Sequence, residues 1–482
     1  MNKISGLFFT ACLAMLILAG CGNSKQTSSS AAPASYAQKG VRPIAVPAPP
    51  RPAGQMDMLN YAAPKIPVVR VGFIGLGMRG PGAVERWLNI PHTKVVALAD
   101  LRPERVEAAQ KILDRNKAAR AVGYSGTEDA WKALCERDDI DLVYIATDWK
   151  NHVPMALYAM EKGKHVAIEV PAAMNMKDIW DLINTSERTR KHCMMLENCV
   201  YDEFEMTALN MAQQGVFGEI IHAEGAYIHD LSGFWKSYWN NWRLEYNKDH
   251  RGDVYPTHGI GPVAQALNIH RGDKMNYLVA FDTKPINGPE EWKKLKGEYP
   301  AAFKNGDHTI TMIKTQNGKT IQIQHNVMTP RPYSRMYQLT GTKGFANKYP
   351  IQGFAIKGSQ LSADVAGADY QKLDGHSFVK DDIRKALMQK YRHPFYVEMQ
   401  ETARRLGAIA HGGMDYIMDY RLAYCLQNGL PLDMDVYDMA EWSCLTELTA
   451  ISLDNGSAPV LIPDFTRGGW NKIQGYRHAI AK

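Results

Sequence analysis

Val68-Val69-Arg70-Val71-Gly72-Phe73-Ile74-Gly75-Leu76-Gly77-Met78-Arg79-Gly80 is an apolar run that closes on three spaced glycines. The run reads as a short buried strand, and residues 83–89 beyond it read as a helix. Gly75, Gly77 and Gly80 therefore fall as G-x-G-x-x-G between a strand and a helix. In that setting the first glycine permits a tight turn. The second lets a pyrophosphate approach the backbone, and the third allows close helix–strand packing. The helix N-terminus then faces the phosphate charge. A second strand, residues 94–99, leads into Asp100, twenty residues past Gly80. A carboxylate there accepts hydrogen bonds from ribose hydroxyls and repels a 2′-phosphate, so the pattern predicts NAD in preference to NADP.

Toward the C-terminus the alternation continues. Residues 103–116 form a helical pattern with Pro103 in its first turn, and 141–146 a third apolar strand. A helix over 152–163 ends at Gly163, and strands follow at 165–170 and 194–197. Strands alternating with helices imply a doubly wound parallel sheet, here an N-terminal Rossmann domain over residues 66–198. Beyond it the pattern changes. Residues 220–228, 308–315 and 320–328 read as longer strands, the last two joined at Asn317-Gly318. Helical periodicity returns over 384–407 and 414–447. The expectation for 199–482 is an α+β domain with an open, mainly antiparallel sheet and C-terminal helices, and the fold class is α/β.

Toward the N-terminus, Lys3 precedes a short apolar run over residues 7–18, the layout of a signal peptide. The run ends Leu18-Ala19-Gly20-Cys21, which resembles a bacterial lipobox. That resemblance implies removal of residues before Cys21 and lipidation of its thiol. Acyl chains at Cys21 anchor a protein to a membrane without a spanning helix. The chain is thus expected in the bacterial cell envelope, as a lipoprotein facing the periplasm or the exterior. Residues 22–65, rich in Ser, Ala, Pro and Gly, read as a flexible tether. Of seven cysteines, the five beyond the signal are widely spaced in apolar contexts and read as buried thiols. No spacing suggests a metal site. The 482 residues carry a formal charge of only +6 with no basic stripe, which leaves nucleic-acid binding without support. A monomer and a homo-oligomer both remain open.

The order of elements is similar to the Gfo/Idh/MocA group of NAD(P)-dependent proteins. In that group the third strand leads to a loop near the nicotinamide, here Thr147-Asp148-Trp149-Lys150-Asn151-His152. The next strand there ends in Glu-Lys-Pro, whose lysine transfers a proton during alcohol oxidation; here the triplet is Glu169-Val170-Pro171. The group also carries an Asp four residues before a catalytic His; before His258 that position is Val254. Valine relays no proton. Trp239-Asn240-Asn241-Trp242-Arg243, Gly252-Asp253-Val254-Tyr255-Pro256-Thr257-His258, Met328-Thr329-Pro330-Arg331-Pro332-Tyr333 and His411-Gly412-Gly413-Met414-Asp415-Tyr416 are distinctive in their own right. With Glu169-Val170-Pro171 and Asn455-Gly456-Ser457-Ala458-Pro459-Val460 they resemble glycoside hydrolase family 109, the NAD-dependent α-N-acetylgalactosaminidases.

That resemblance implies a carbohydrate substrate ending in α-linked N-acetylgalactosamine and hydrolysis with retention. The implied route is reversible oxidation at C3, elimination of the aglycone, water addition and re-reduction, without the usual carboxylate pair. Implied cofactor contacts are Met78 and Arg79 in the loop, Trp149, Lys150, Asn151 and His152, then Glu169, Val170, Asn198 and Tyr255. His258 leads as acid/base, because imidazole titrates near neutral pH. Tyr255 and Tyr227 stand beside it as hydrogen-bonding phenols or a base, and Tyr227 with the segment Tyr255-Pro256-Thr257-His258 is implied to contact the substrate. Arg243 and Tyr333 are substrate-contact candidates, with Tyr337 competing for the latter role. Trp235, Trp239 and Trp242 form either a sugar-stacking wall or a cap on the sheet. His229, His325 and His411 read as structural. The competing reading is a sugar or cyclitol dehydrogenase that exchanges NAD(H) with solvent; a non-catalytic sugar-binding lipoprotein is the third.

Overall fold

A computed structural model describes residues 42–476. Six strands build the first sheet: β1 (Val69–Ile74), β2 (Thr93–Ala99), β3 (Val122–Tyr124), β4 (Leu142–Ile145), β5 (His165–Ile168) and β6 (Cys193–Met195). They run parallel in the order β3-β2-β1-β4-β5-β6. Right-handed crossovers in that order send helices to opposite faces on either side of β1 and β4, leaving a crevice at their carboxyl ends. Strands β4 and β5 are buried along their whole length, which is why they read as unbroken apolar runs. Trp87 packs edge-to-face on Phe73 of β1 and Tyr144 of β4, whose own rings lie tilted against each other. Strand β3 escapes the sequence reading because it is three residues long, largely exposed and contains Gly123.

The second sheet contains β7 (Ile220–Ile228), β8 (Met275–Asp282), β9 (Thr309–Thr315), β10 (Thr320–Asn326), β11 (Gln338–Gly341), β12 (Gly344–Asn347), β13 (Gly353–Ile356) and β14 (Val460–Leu461). Its order is β13-β12-β11-β7-β10-β9-β8-β14, antiparallel except where β7 meets β10. The Asn317-Gly318 turn joins β9 to β10, with Gly318 at φ 85°. Helix Thr257–Ala266 lies directly on β7, and two glycines make that approach possible. A Cβ on Gly225 would sit 2.1 Å from the Gly259 carbonyl oxygen, and one on Gly259 2.8 Å from the Ala226 nitrogen.

Two expectations need correction. The helical stretch over 384–407 is broken at 392–393, ahead of Pro394, whose ring cannot continue the preceding helix. The stretch over 414–447 is likewise three helices, Met414–Asn428, Val436–Ser443 and Leu445–Asp454, the first ended by Gly429 in the left-handed region. More consequentially, residues 42–65 are not a free tether. Ile44 pairs with Val460 on the sheet's edge strand. Arg51 forms a bidentate pair with the fully buried Glu187, which also binds Arg467 and Tyr437. Met58 is buried and its N–H donates to Tyr437. Low apolar content hid this: the segment is held by polar pairs and backbone bonds. The apolar run over 7–18 and Cys21 lie outside the described residues. Among the described residues no helix is long and apolar enough to cross a membrane.

Deleting residues 42–65 is expected to lower stability by at least about 3 kcal/mol, from the loss of Met58 packing and of one partner of a buried carboxylate. Calorimetry of the shortened chain checks this; an unchanged melting temperature would restore the tether reading.

Candidate active site

The glycine loop meets the demands of a dinucleotide one residue at a time. Gly75 sits at φ 90°, and a Cβ there would lie 2.6 Å from the Ala146 carbonyl oxygen. A Cβ on Gly80 would lie 2.1 Å from the Gly75 oxygen, so the helix can begin close under the turn. Gly77 differs: nothing lies within 4 Å of its would-be Cβ, which leaves room above the backbone where a pyrophosphate fits. Helix Gly80–Trp87 starts there with its free N–H groups. The Asp100 carboxylate accepts from the Leu76 N–H at 2.7 Å and the Arg102 N–H at 2.9 Å, locking the loop while still lining the cleft. Arg102 stacks its guanidinium 4.1 Å over Trp239, which carries a segment of the second sheet's domain toward this end.

A cleft of about 1430 Å³ runs from this loop to the second sheet. Gly75, Gly77, Met78, Arg79, Asp100, Trp149, Lys150, Asn151, His152, Glu169, Val170 and Asn198 all line it. Their side chains do different things. Trp149 donates from Nε1 to the Val170 carbonyl at 3.2 Å, joining the loop after β4 to the end of β5. His152 sets Nδ1 2.9 Å from the Pro171 oxygen and Nε2 3.2 Å from the Thr147 oxygen. Burial lowers its pKa, so the neutral ring carries one N–H and donates to only one of these two carbonyls. His152 therefore shapes the loop. Asn151 donates to Asp148, and Lys150 extends into solvent near the same carboxylate. Glu169 lies 3.8 Å from Arg79. The buried Asn198 donates from Nδ2 to Asp415.

At the other end, Tyr227, Tyr255 and His258 meet face to edge, with ring centroids 4.5–5.3 Å apart. The Gly225–Gly259 approach brings them together, since it seats the helix bearing His258 on the strand bearing Tyr227. His258 Nδ1 stands 2.7 Å from Glu197 Oε1, while Nε2 faces the Tyr255 hydroxyl at 3.4 Å. Burial opposes charge on Glu197, but the His258 imidazole, Thr257 and the Cys199 N–H outweigh it and lower its pKa. Glu197 was passed over in the sequence as the last residue of a strand. Its position at the carboxyl end of the parallel sheet, where ligands bind, was the available signal. Arg243 is buried inside four rings, 4.5 Å from the Tyr255 centroid and 5.2 Å from those of Trp149 and Tyr238. It donates to Tyr238 and forms no ion pair among the described residues.

Burial pushes the Tyr227 phenol up to about 12, with nearby Arg243 only partly offsetting it, and also holds Tyr255 well above the usual phenol range. Tyr227 donates to His229 Nδ1 at 2.8 Å. His229 lines the cleft, and burial with Arg243 pushes its pKa down to about 4. His411 also lines the cleft, whereas His325 is buried behind Tyr227. Tyr333 reaches the cleft and Tyr337 is enclosed in the core. Pro256 and Thr257 do not line it; buried at the start of their helix, they aim their neighbours Tyr255 and His258. Of the three tryptophans, Trp239 and Trp242 line the cleft and Trp235 is buried beneath it.

Residues 201–472 match the family description "Glycosyl hydrolase 109, C-terminal domain", and residues 69–197 match "Oxidoreductase family, NAD-binding Rossmann fold". A Bacteroides fragilis protein called "Glycosyl hydrolase family 109 protein 1" is 65% identical over 442 residues, covering 92% of this chain and 95% of the relative. A Phocaeicola vulgatus protein of the same name is 60% identical over 482 residues, covering 100% of both. Among solved structures, levoglucosan dehydrogenase in complex with NADH and L-sorbose is similar in fold, with a TM-score of 0.61. It is 19% identical and covers 83% of this chain and 100% of its own. The N-terminal part is thus an NAD-binding Rossmann domain.

Asp253 lies under this site, its carboxylate accepting the Tyr255 N–H at 3.0 Å, and burial pushes its pKa up to about 7. Folding therefore favours the protonated acid. Its contribution to stability is greatest in acid and is lost as pH rises from about 4 to about 7. Asp253→Asn should melt increasingly above the parent chain across that window and level off beyond it. A melting difference independent of pH would refute the assignment.

Proposed function

Because the chain belongs to glycosyl hydrolase family 109, we propose that it hydrolyses terminal α-linked N-acetylgalactosamine with retention, using NAD that stays bound. One observation carries the reading: Val170 stands where dehydrogenases of similar fold are expected to carry a proton-transferring lysine, while His258 backed by Glu197 opens on the same cleft. The glycine loop, Asp100, Trp149 and Asn198 line the part of the cleft that would hold NAD, which when bound would supply reversible hydride acceptance at a sugar carbon with no net redox change.

The remaining roles belong to the protein. Both phenols keep their protons at neutral pH, since burial raises Tyr227 to about 12 and holds Tyr255 well above the usual phenol range. With its proton directed at His229, the Tyr227 oxygen accepts from a sugar hydroxyl, while Tyr255 keeps a proton to donate. Accepting and returning a proton falls to His258, whose Nδ1–H is oriented by Glu197 and whose Nε2, 3.4 Å from the Tyr255 hydroxyl, points to the cleft end where substrate enters. Arg243, charged and without a carboxylate partner, offers donors to a sugar oxygen that gains negative character. Trp239, 56% exposed at the rim, offers a stacking face.

Purified protein with no added NAD should release nitrophenol from the aryl α-N-acetylgalactosaminide and incorporate solvent deuterium at C2. NADH accumulating in step with product would instead establish a dehydrogenase. His258→Ala and Glu197→Gln should each lower kcat by roughly 100-fold or more while bound NAD remains detectable.

We propose further that Cys21 carries lipid and holds the enzyme at the bacterial cell envelope. Free NAD is scarce outside the cytoplasm, which favours a cofactor loaded once. A Cys21→Ser chain should leave the membrane fraction, and its retention there would overturn the anchor.

A further inference from the structure

Helix Met414–Asn428 begins behind three consecutive residues in the left-handed region, His411 at φ 42°, Gly412 at 76° and Gly413 at 116°. Holding a non-glycine residue there has a conformational cost, and the surroundings must impose it. The constraint delivers Asp415 beneath the glycine loop, 336 residues after Arg79 in the chain. Asp415 is 1% exposed, and donors from four separate places converge on it. Asn198 Nδ2 donates to Oδ1 at 2.5 Å, and His411 Nδ1 lies 2.8 Å from Oδ2. Arg79 Nη2 lies 3.4 Å and Arg86 Nη1 3.5 Å from the same Oδ2. Burial disfavours charge on this carboxylate, but His411 and the two guanidiniums outweigh it and hold it well below the usual range. The Arg79 guanidinium lies against the His411 imidazole, with Nη1 3.1 Å from Nε2 and 3.3 Å from Nδ1, so His411 stands between Arg79 and Asp415.

We infer that Asp415 is a positioning residue for the cofactor, setting Arg79 at the phosphate end and Asn198 at the nicotinamide end with a single carboxylate. The C-terminal helix thereby becomes part of the NAD site. The inference rests on the assignment of Arg79 and Asn198 to cofactor contacts, and not on the identity of the sugar. One turn along the same helix, Asp419 provides the contrast. It is fully buried and pairs with Arg86 at 2.7 Å, and Arg86 in turn donates to Tyr144. Neither carboxylate lines the cleft itself, but Asp415's partners Arg79, Asn198 and His411 do, whereas Asp419's partner Arg86 does not. Asp419 ties the helix to the Rossmann sheet, whereas Asp415 ties it to the two groups that face the cofactor.

The test uses the purified holoprotein and two readouts that do not require turnover: NAD retained per chain after gel filtration, and the rate at which bound NAD is displaced by excess fluorescent etheno-NAD. Asp415→Asn should release NAD roughly 10- to 100-fold faster, the loss expected for one or two hydrogen bonds to a charged group. Asp419→Asn should lower the melting temperature at least as much while releasing NAD much more slowly than Asp415→Asn. His411→Ala, at a half-exposed position, removes the imidazole between Asp415 and Arg79 and should shift release in the same direction even where Asp415→Asn folds poorly. Release at the parental rate in both Asp415→Asn and His411→Ala would overturn the inference. So would NAD loss that simply follows melting temperature across all three variants. Because neither readout involves sugar, failure of the glycosidase reading would appear separately, as NAD release that obeys these expectations in a protein inactive on the aryl glycoside.

Discussion

A fully buried carboxylate must be paired, and the pairing of Glu197 organises the catalytic end of this protein. Glu197 follows the last strand of the parallel sheet; its partner His258 lies in the first turn of a helix resting on the other sheet. The bond between them, 2.7 Å long, therefore joins the half that holds the cofactor to the half that faces the sugar. It exists only because Gly225 and Gly259 let strand and helix backbones approach where any Cβ would collide. Loss of either glycine's bareness would move His258 away from Glu197 and from Tyr227 together.

The same logic of paired and unpaired charge separates structure from function elsewhere. Arg86 pairs with Asp419 and donates to Tyr144 under the Rossmann sheet, and Arg271 and His270 pair with Asp438 and Glu441 on a C-terminal helix. These groups are buried and do not line the cleft. Arg243 is different. Its neighbours are aromatic rings and a phenol, so its charge is stabilised by π faces and remains available to an oxygen entering the cleft. A dry, aromatic surround also strengthens whatever hydrogen bond it then makes.

Much of the fold was legible because the periodicities are local. The strand–glycine–helix unit, Asp100 and the change of pattern near residue 199 each depend on neighbours within about twenty residues. Local signals failed where tertiary contacts supplied the order. The segment 42–65 looks like a tether by composition, yet Arg51 and Met58 reach Glu187 and Tyr437. Nothing local in the sequence marks His229 and His411 as neighbours of the cleft that both of them line. Pro256 and Thr257 share a motif with Tyr255 and His258, but the turn into the helix points them inward.

By itself the sequence determined the cofactor class and the architecture, because glycine spacing and apolar periodicity restrict what the backbone can do. It also exposed Val170 as the departure that separates this chain from proton-relaying dehydrogenases of similar fold. Which side chains act together was decided by the tertiary structure alone. Glu197 and His258 are 61 residues apart, and Asn198 and Asp415 are 217 apart. Pairings at that separation leave no trace in a local pattern: they arise where two sheets and a late helix converge, and it is burial that makes each partner necessary to the other.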